Sequence, residues 1–166
     1  MMVRDPRRRL YSAYNYGMHA FGANSAHKVM EEQVHSLRDF IKYPGIQDCQ
    51  VKMLNGLYCA QVVEVTEAMV NRAIDRMARA AFVGITDEWN DSMCLFHAMY
   101  GGRLPAPAFQ NIRATDHMVA GSYNSQQALV AVAKEDDPND WRLYEAAVII
   151  FRRRQKRYGI PVYESA

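Results

Sequence analysis

Little in this sequence points outward. Met1-Met2-Val3 runs straight into Arg4 and Asp5 with no apolar stretch, so the start does not read as a signal peptide. No run approaches the roughly 18 consecutive apolar residues of a membrane span. The longest, Ala146 to Phe151, is far too short. Cysteine is scarce: Cys49, Cys59 and Cys94 are the only three, and neither a CxxC pair nor a Cys/His zinc spacing occurs. Cys49 and Cys59 flank one compact segment and are either a disulfide or two buried thiols. Cys94, in a strongly apolar stretch, reads as a core residue. An excess of charge is missing too. The formal net charge of +2 is too small to suggest a nucleic-acid partner. Basic residues do cluster, in Arg7 to Arg9 and in Arg152 to Arg157, and the plain reading of both is a solvated helix face. There is no internal repeat and no low-complexity tract.

What is present is an ordinary globular composition. With 166 residues, 49% of them hydrophobic and 23% charged, the chain can bury one real core. Asp5 suits an N-cap and Pro6 a first helical position, with Leu10, Ala13 and Tyr14 on one face behind them. Val29, Gln33, Val34, Leu37, Phe40 and Ile41 recur at helical spacing, which predicts a second helix over roughly 26–42, stopped by Pro44-Gly45. Asn55-Gly56 is a hairpin turn or the stop of a short helix from Asp48 to Leu54; the helix is preferred. Thr66 or Glu67 opens a helix to about Ala80. Phe82 to Ile85 reads as a short buried strand, after which Thr86 caps a helix carrying Trp89, Met93, Phe96 and Tyr100 on one side. Leu104 to Ser125 is irregular, and Gln126 to Ala133 reads as a short helix. Asp137 as N-cap and Pro138 as first residue start a last helix running to about Tyr158. Helix, short strand, capped helix is an α/β order. The predicted fold class is therefore α/β, mostly helical, with a small parallel sheet built from Val3 and Phe82–Ile85.

The chemistry gathers at the first strand-to-helix turn. Free N–H groups and the helix dipole favour an anion there, and Arg4 at the mouth could fork onto phosphate oxygens. By pattern alone Arg4 is either that ligand or a solvated surface arginine. His97 and Glu88 read as a satisfied or surface histidine and a first-turn carboxylate. Asp116-His117 has no third partner in sequence.

The full string Arg4-Asp5-Pro6, Arg9, Ser12, Tyr14 resembles the 3′-phosphate segment of sulfotransferases that use 3′-phosphoadenosine 5′-phosphosulfate (PAPS). In that family the segment follows a central strand. Three further stretches resemble Golgi-type carbohydrate sulfotransferase relatives. They are Cys49 to Gly56, with Val51 where Thr is commoner, Phe82 to His97, and Leu143-Tyr144-Glu145-Ala146-Ala147 up to Phe151. The resemblance implies a P-loop-like sulfotransferase domain with PAPS as co-substrate, no metal, and a carbohydrate hydroxyl as sulfuryl acceptor. It gives the 3′-phosphate to Arg4 and Ser12. It also makes Arg113, in the polar loop at Asn111-Ile112-Arg113, a candidate for closing over the nucleotide; otherwise Arg113 is an exposed loop arginine. It implies a Golgi lumen or membrane setting, although a cytoplasmic one stays open.

The family's 5′-phosphosulfate loop and its usual catalytic base precede this string. No Gly/Ser/Thr-rich loop with a Lys occurs in these residues, so no catalytic residue is assigned. The expectation is a single, N-terminally incomplete sulfotransferase-like domain over 1–166 that keeps the 3′-phosphate half-site and is inactive alone. An uncovered apolar surface would then favour oligomers. Two alternatives are a non-catalytic nucleotide-binding or interaction module and a basic-faced nucleic-acid binder. The second lacks any recognition motif.

Overall fold

The computed structural model describes residues 1–15, 32–102 and 136–162. Met2–Val3 (β1) and Gly84–Ile85 (β2) pair in parallel, Met2 opposite Gly84 and Val3 opposite Ile85. The parallel pairing is the one expected, but the second strand is shorter. Phe82 and Val83 are buried ahead of the ladder rather than in it.

So short a ladder leaves strand-edge groups that must find partners elsewhere. Side chains supply them. The Gln50 amide accepts from the Arg4 N–H at 3.5 Å and donates to the Arg4 carbonyl at 3.3 Å, as a neighbouring strand would. The Ser92 hydroxyl does the same for Ile85, at 2.8 and 2.9 Å.

Helices dominate the rest: α1 (Pro6–Asn15), α2 (Leu37–Lys42), α3 (Cys49–Leu54), α4 (Glu67–Ala78), α5 (Trp89–Tyr100) and α6 (Pro138–Arg157). Asp5 caps α1 as expected, its Oδ1 accepting from the N–H groups of Arg7 at 2.8 Å and Arg8 at 3.4 Å. Thr66 caps α4 through Met69. The predicted helix over 26–42 is interrupted within its described part. Val34 and His35 are non-helical, and α2 starts only after Ser36, whose Oγ accepts from the Asp39 N–H while Asp39 takes the His35 N–H. That reciprocal cap is a start signal inside a continuous apolar pattern, and it overrides the period. Thr86 does not cap α5. Thr86–Glu88 forms a 3₁₀ turn, and α5 begins at Trp89 without a side-chain cap. The predicted helix over Gln126–Ala133 lies outside the described residues.

The main core joins β1 and β2 to α3, α4, α5 and α6 through residues such as Val3, Val51, Met77, Ile85, Leu143 and Phe151. A smaller one holds α1 on α2 through Leu10, Val34, Leu37, Phe40, Ile41 and Ile46. Helix α5 has the predicted period, but its buried line stands about 100° round from the aromatic stripe. Ser92 and Leu95 are its buried residues, while Trp89, Phe96 and Tyr100 are exposed and Cys94 is a half-buried free thiol. The face is set by Ser92, whose hydroxyl must reach Ile85, and not by the larger aromatic stripe.

Cys49 and Cys59 form a disulfide, which settles the alternative left open by spacing. Lys52, fully buried between them, donates to the carbonyls of Gly45 and Gln61 at 3.0 Å each and fastens the same segment. Burial pushes the Lys52 ammonium below its usual range. Among the described residues no helix is long and apolar enough to cross a membrane, and no group of His, Cys, Asp or Glu is arranged to hold a metal.

Candidate functional site

Because β1 and β2 are parallel, they end side by side. β1 runs through Arg4-Asp5 into α1, and β2 runs through Thr86-Asp87-Glu88 into α5. Ligands of parallel-sheet folds sit at such carboxyl ends. Asp87 bridges the two turns: its Oδ2 accepts from the Asp5 N–H at 3.0 Å, taking the place of the next ladder residue. Its Oδ1 lies 3.9 Å from Arg4 Nε and 3.5 Å from Arg8 Nε. The Arg4 and Arg8 side chains are 38% and 53% exposed, although the Arg4 Nε that faces the carboxylate is itself buried.

Sequence reasoning expected free N–H groups at the start of α1, and the structure corrects this. Pro6 has none, Arg7 and Arg8 donate to the Asp5 carboxylate, and Arg9 donates to the Asp5 carbonyl at 2.8 Å. The dipole of α1 is answered by the chain's own carboxylates, and what faces outward is guanidinium. Ser12 is half-buried in the second turn of α1. Standing four residues after Arg8, it shares that residue's face of the helix. The spacing Arg8-x-x-x-Ser12 was available in the sequence and would have pointed to Arg8. Arg113 and Asp116-His117 lie outside the described residues.

Arg153, Lys156 and Arg157 form the solvated face expected of them, but Arg7, Arg152 and Arg154 do not. Arg7 grips Asp5 at 2.9 Å and stacks over Trp141 at 4.9 Å. Arg152 makes a two-pronged pair with Glu88, at 2.5 and 2.7 Å. Arg154 donates to the carbonyls of Ala78, Ala80 and Ala81 just past α4. Tyr144, half-buried on α6, has its hydroxyl pKa pushed up to about 12, by burial first and then by the charges of Asp87, Asp5 and Glu88. It is a neutral donor throughout the ordinary pH range, not a base.

Behind this surface lies a buried cluster that sequence reasoning missed. Arg9 Nη2 donates to Asp137 at 2.7 Å and Asp140 at 3.1 Å, and both carboxylates are 1% exposed or less. Asp137 stands at the predicted N-cap position of α6 but does not cap it. Its Oδ1 accepts from the Asp48 N–H at 2.8 Å. Asp140 accepts from the N–H groups of Gln50 and Val51, both at 2.9 Å, and so caps α3 from another helix. Two carboxylates share one guanidinium. Burial, then the charge of Asp140, pushes Asp137 up to about 7, while Asp48 is raised by burial and the same neighbour. No local signal finds this cluster, whose partners are about 90 to 130 residues apart.

No protein-family model matches the chain, and neither does any curated protein or solved structure.

Proposed function

We propose that this chain is a sulfotransferase-family domain whose strand-end site holds the 3′-phosphate of PAPS. The observation that carries the reading is the convergence of two parallel strand ends on exposed guanidinium groups. Arg4 leaves β1, Arg8 stands one turn into α1, and Ser12 lies on the same face as Arg8. In this proposal Arg4 and Arg8 supply charge-assisted donors and Ser12 a hydroxyl, with Arg113 as a further candidate on the nucleotide. The P-loop-like character of the α/β fold and a carbohydrate hydroxyl as acceptor belong to the same proposal. A Golgi-lumen setting is also part of it, and the Cys49–Cys59 disulfide suits such an oxidising compartment.

Chemically, these residues bind and orient. Sulfuryl transfer also needs donors on the transferring group and a base for the acceptor hydroxyl. No residue described here is placed for either: Glu88 is tied to Arg152, and Tyr144 holds its proton. The function proposed for these residues is therefore nucleotide binding within a sulfotransferase.

Calorimetric titration with adenosine 3′,5′-bisphosphate tests the reading. Losing a hydrogen bond to a charged group costs roughly 1.5–3 kcal/mol. Arg4→Ala should therefore weaken binding about tenfold or more, and Arg8→Ala comparably. Arg7→Ala should change affinity far less, because Arg7 is engaged by Asp5 and Trp141. Equal losses at all three would indicate a diffuse basic surface instead.

A further inference from the structure

Four guanidinium groups surround the strand ends, and two are committed. Arg7 belongs to Asp5 and Trp141, and Arg152 to Glu88. Arg4 and Arg8 share one carboxylate between them, that of Asp87. Two positive charges against one negative leave a net attraction for an anion. Asp87 Oδ1 lies against both Nε atoms, 3.9 Å from that of Arg4, which is shut off from solvent and has no hydrogen-bond partner, and 3.5 Å from that of Arg8. The carboxylate is anchored at its other oxygen, which takes the Asp5 N–H at 3.0 Å, and Asp87 itself sits in the 3₁₀ turn Thr86–Glu88. The adjacent Glu88 cannot take its place, being held at both oxygens by Arg152.

We propose that Asp87 is an internal competitor for the Arg4–Arg8 pair, so that an incoming phosphate must share the two guanidinium groups with Asp87 or displace its Oδ1 to gain their Nε edges. The inference rests on the phosphate reading of this site and adds to it a means of charge selection. Oδ2 is anchored separately, so a small turn of the side chain can release Oδ1 while the bond to the Asp5 N–H stays in place. A monoanion such as chloride offers the arginines no more charge than Asp87 already does. A phosphate dianion offers about twice as much, and displaces the carboxylate. Asp87 thus lets dianions in and holds small monoanions out. It also lowers the affinity of every anion, because its charge repels at short range even in high dielectric.

Asp87→Asn separates these effects. The asparagine oxygen can still accept from the Asp5 N–H, while the competing charge is gone. The experiment is titration of wild type, Asp87→Asn, Asp87→Ser and Arg4→Ala with adenosine 3′,5′-bisphosphate, repeated in rising sodium chloride at constant ionic strength. Circular dichroism reports the fold of each variant. Asp87→Asn should bind about tenfold tighter than wild type, and chloride should become a measurable competitor in it. Tightening in Asp87→Ser as well would assign the effect to charge. Suppose instead that wild type binds, Arg4→Ala weakens it, and both folded Asp87 variants bind equally or more weakly. The phosphate site would then stand and the competitor role would be overturned. Absence of binding in wild type and in both Asp87 variants would overturn the phosphate reading and this inference together. Loss of helical signal in both Asp87 variants would make the residue a structural strut, and would equally overturn it.

Discussion

Helices α1 and α3 start in opposite ways. Helix α1 is capped from within: Asp5, one residue ahead, takes two of its N–H groups, and the neighbouring charges face solvent. Helix α3 is capped from outside: Asp140 of α6 takes two of its N–H groups in a place with no solvent access, and Arg9 of α1 balances the charge. A local cap says where a helix begins. A distant one says where a helix sits. Six residues are too few for a helix to hold by itself in water, so α3 depends on α6 and α1 at its start and on the Cys49–Cys59 disulfide and Lys52 along its length. Its cap is in effect the joint that fixes three helices relative to one another.

That contrast can be broken most forcefully at the joint. Asp140→Ala strands two buried N–H groups of α3 and half of the Arg9 partnership. Breaking a buried pair by removing one partner costs about 3–5 kcal/mol. The melting temperature should fall by roughly 6–20 °C, and a denaturant titration should show the same loss. A drop of less than ~1 kcal/mol, in the range of an exposed pair, would mean that α3 does not depend on α6.

Proton linkage gives an intermediate effect. Asp137 is held near 7 in the folded protein, against 3.8 for an ordinary aspartate. Between those values the folded chain binds more protons than the unfolded one. Asp137 therefore favours folding at the acid end of the window, and this contribution is lost as pH rises toward and through 7. A single proton limits the slope to about 1.4 kcal/mol per pH unit. Unfolding free energies measured from pH 5 to 8 should carry this downward component, and Asp137→Asn should remove it. A wild type and variant with parallel profiles would show that Asp137 is ionised throughout.

The smallest effect belongs to the local cap. Asp5→Ala should cost about 0.5–2 kcal/mol, and Asp5→Asn much less, read as shifts of the denaturant midpoint. If Asp5→Ala proved as damaging as Asp140→Ala, the distinction between the two helix starts would collapse.

The same distinction explains what was legible in the sequence. Starts marked by adjacent residues were readable: Asp5-Pro6 for α1, Thr66 for α4 and Pro138 for α6. The parallel pairing of Val3 with the Phe82–Ile85 stretch and the span of α3 were readable too, but side-chain bonds to distant partners were not. Asp137 looks like the cap of its own helix, and only the fold shows it turned toward Asp48 and Arg9. Arg9 matches the sulfotransferase string with no role attached, and the structure gives it a buried one. In helix α5 the line of Trp89, Met93, Phe96 and Tyr100 stands about 100° round from the buried line of Ser92 and Leu95, whose serine hydroxyl is tied to Ile85. At the candidate site, Arg4 and Ser12 were named from the string. The spacing to Ser12 points to Arg8, while Asp87 emerged only when the two strand ends were seen together.

The stacking of Arg7 over Trp141 gives the site an optical readout of its own. The protein has two tryptophans, and the other, Trp89, opens α5. In a Trp89→Phe background the single remaining indole lies under a guanidinium tied to Asp5, whose N–H is held by Asp87. Emission from Trp141 is therefore wired, through three consecutive contacts, to the residue that faces Arg4 and Arg8. Rapid mixing could follow that emission in time, with no label added to the protein.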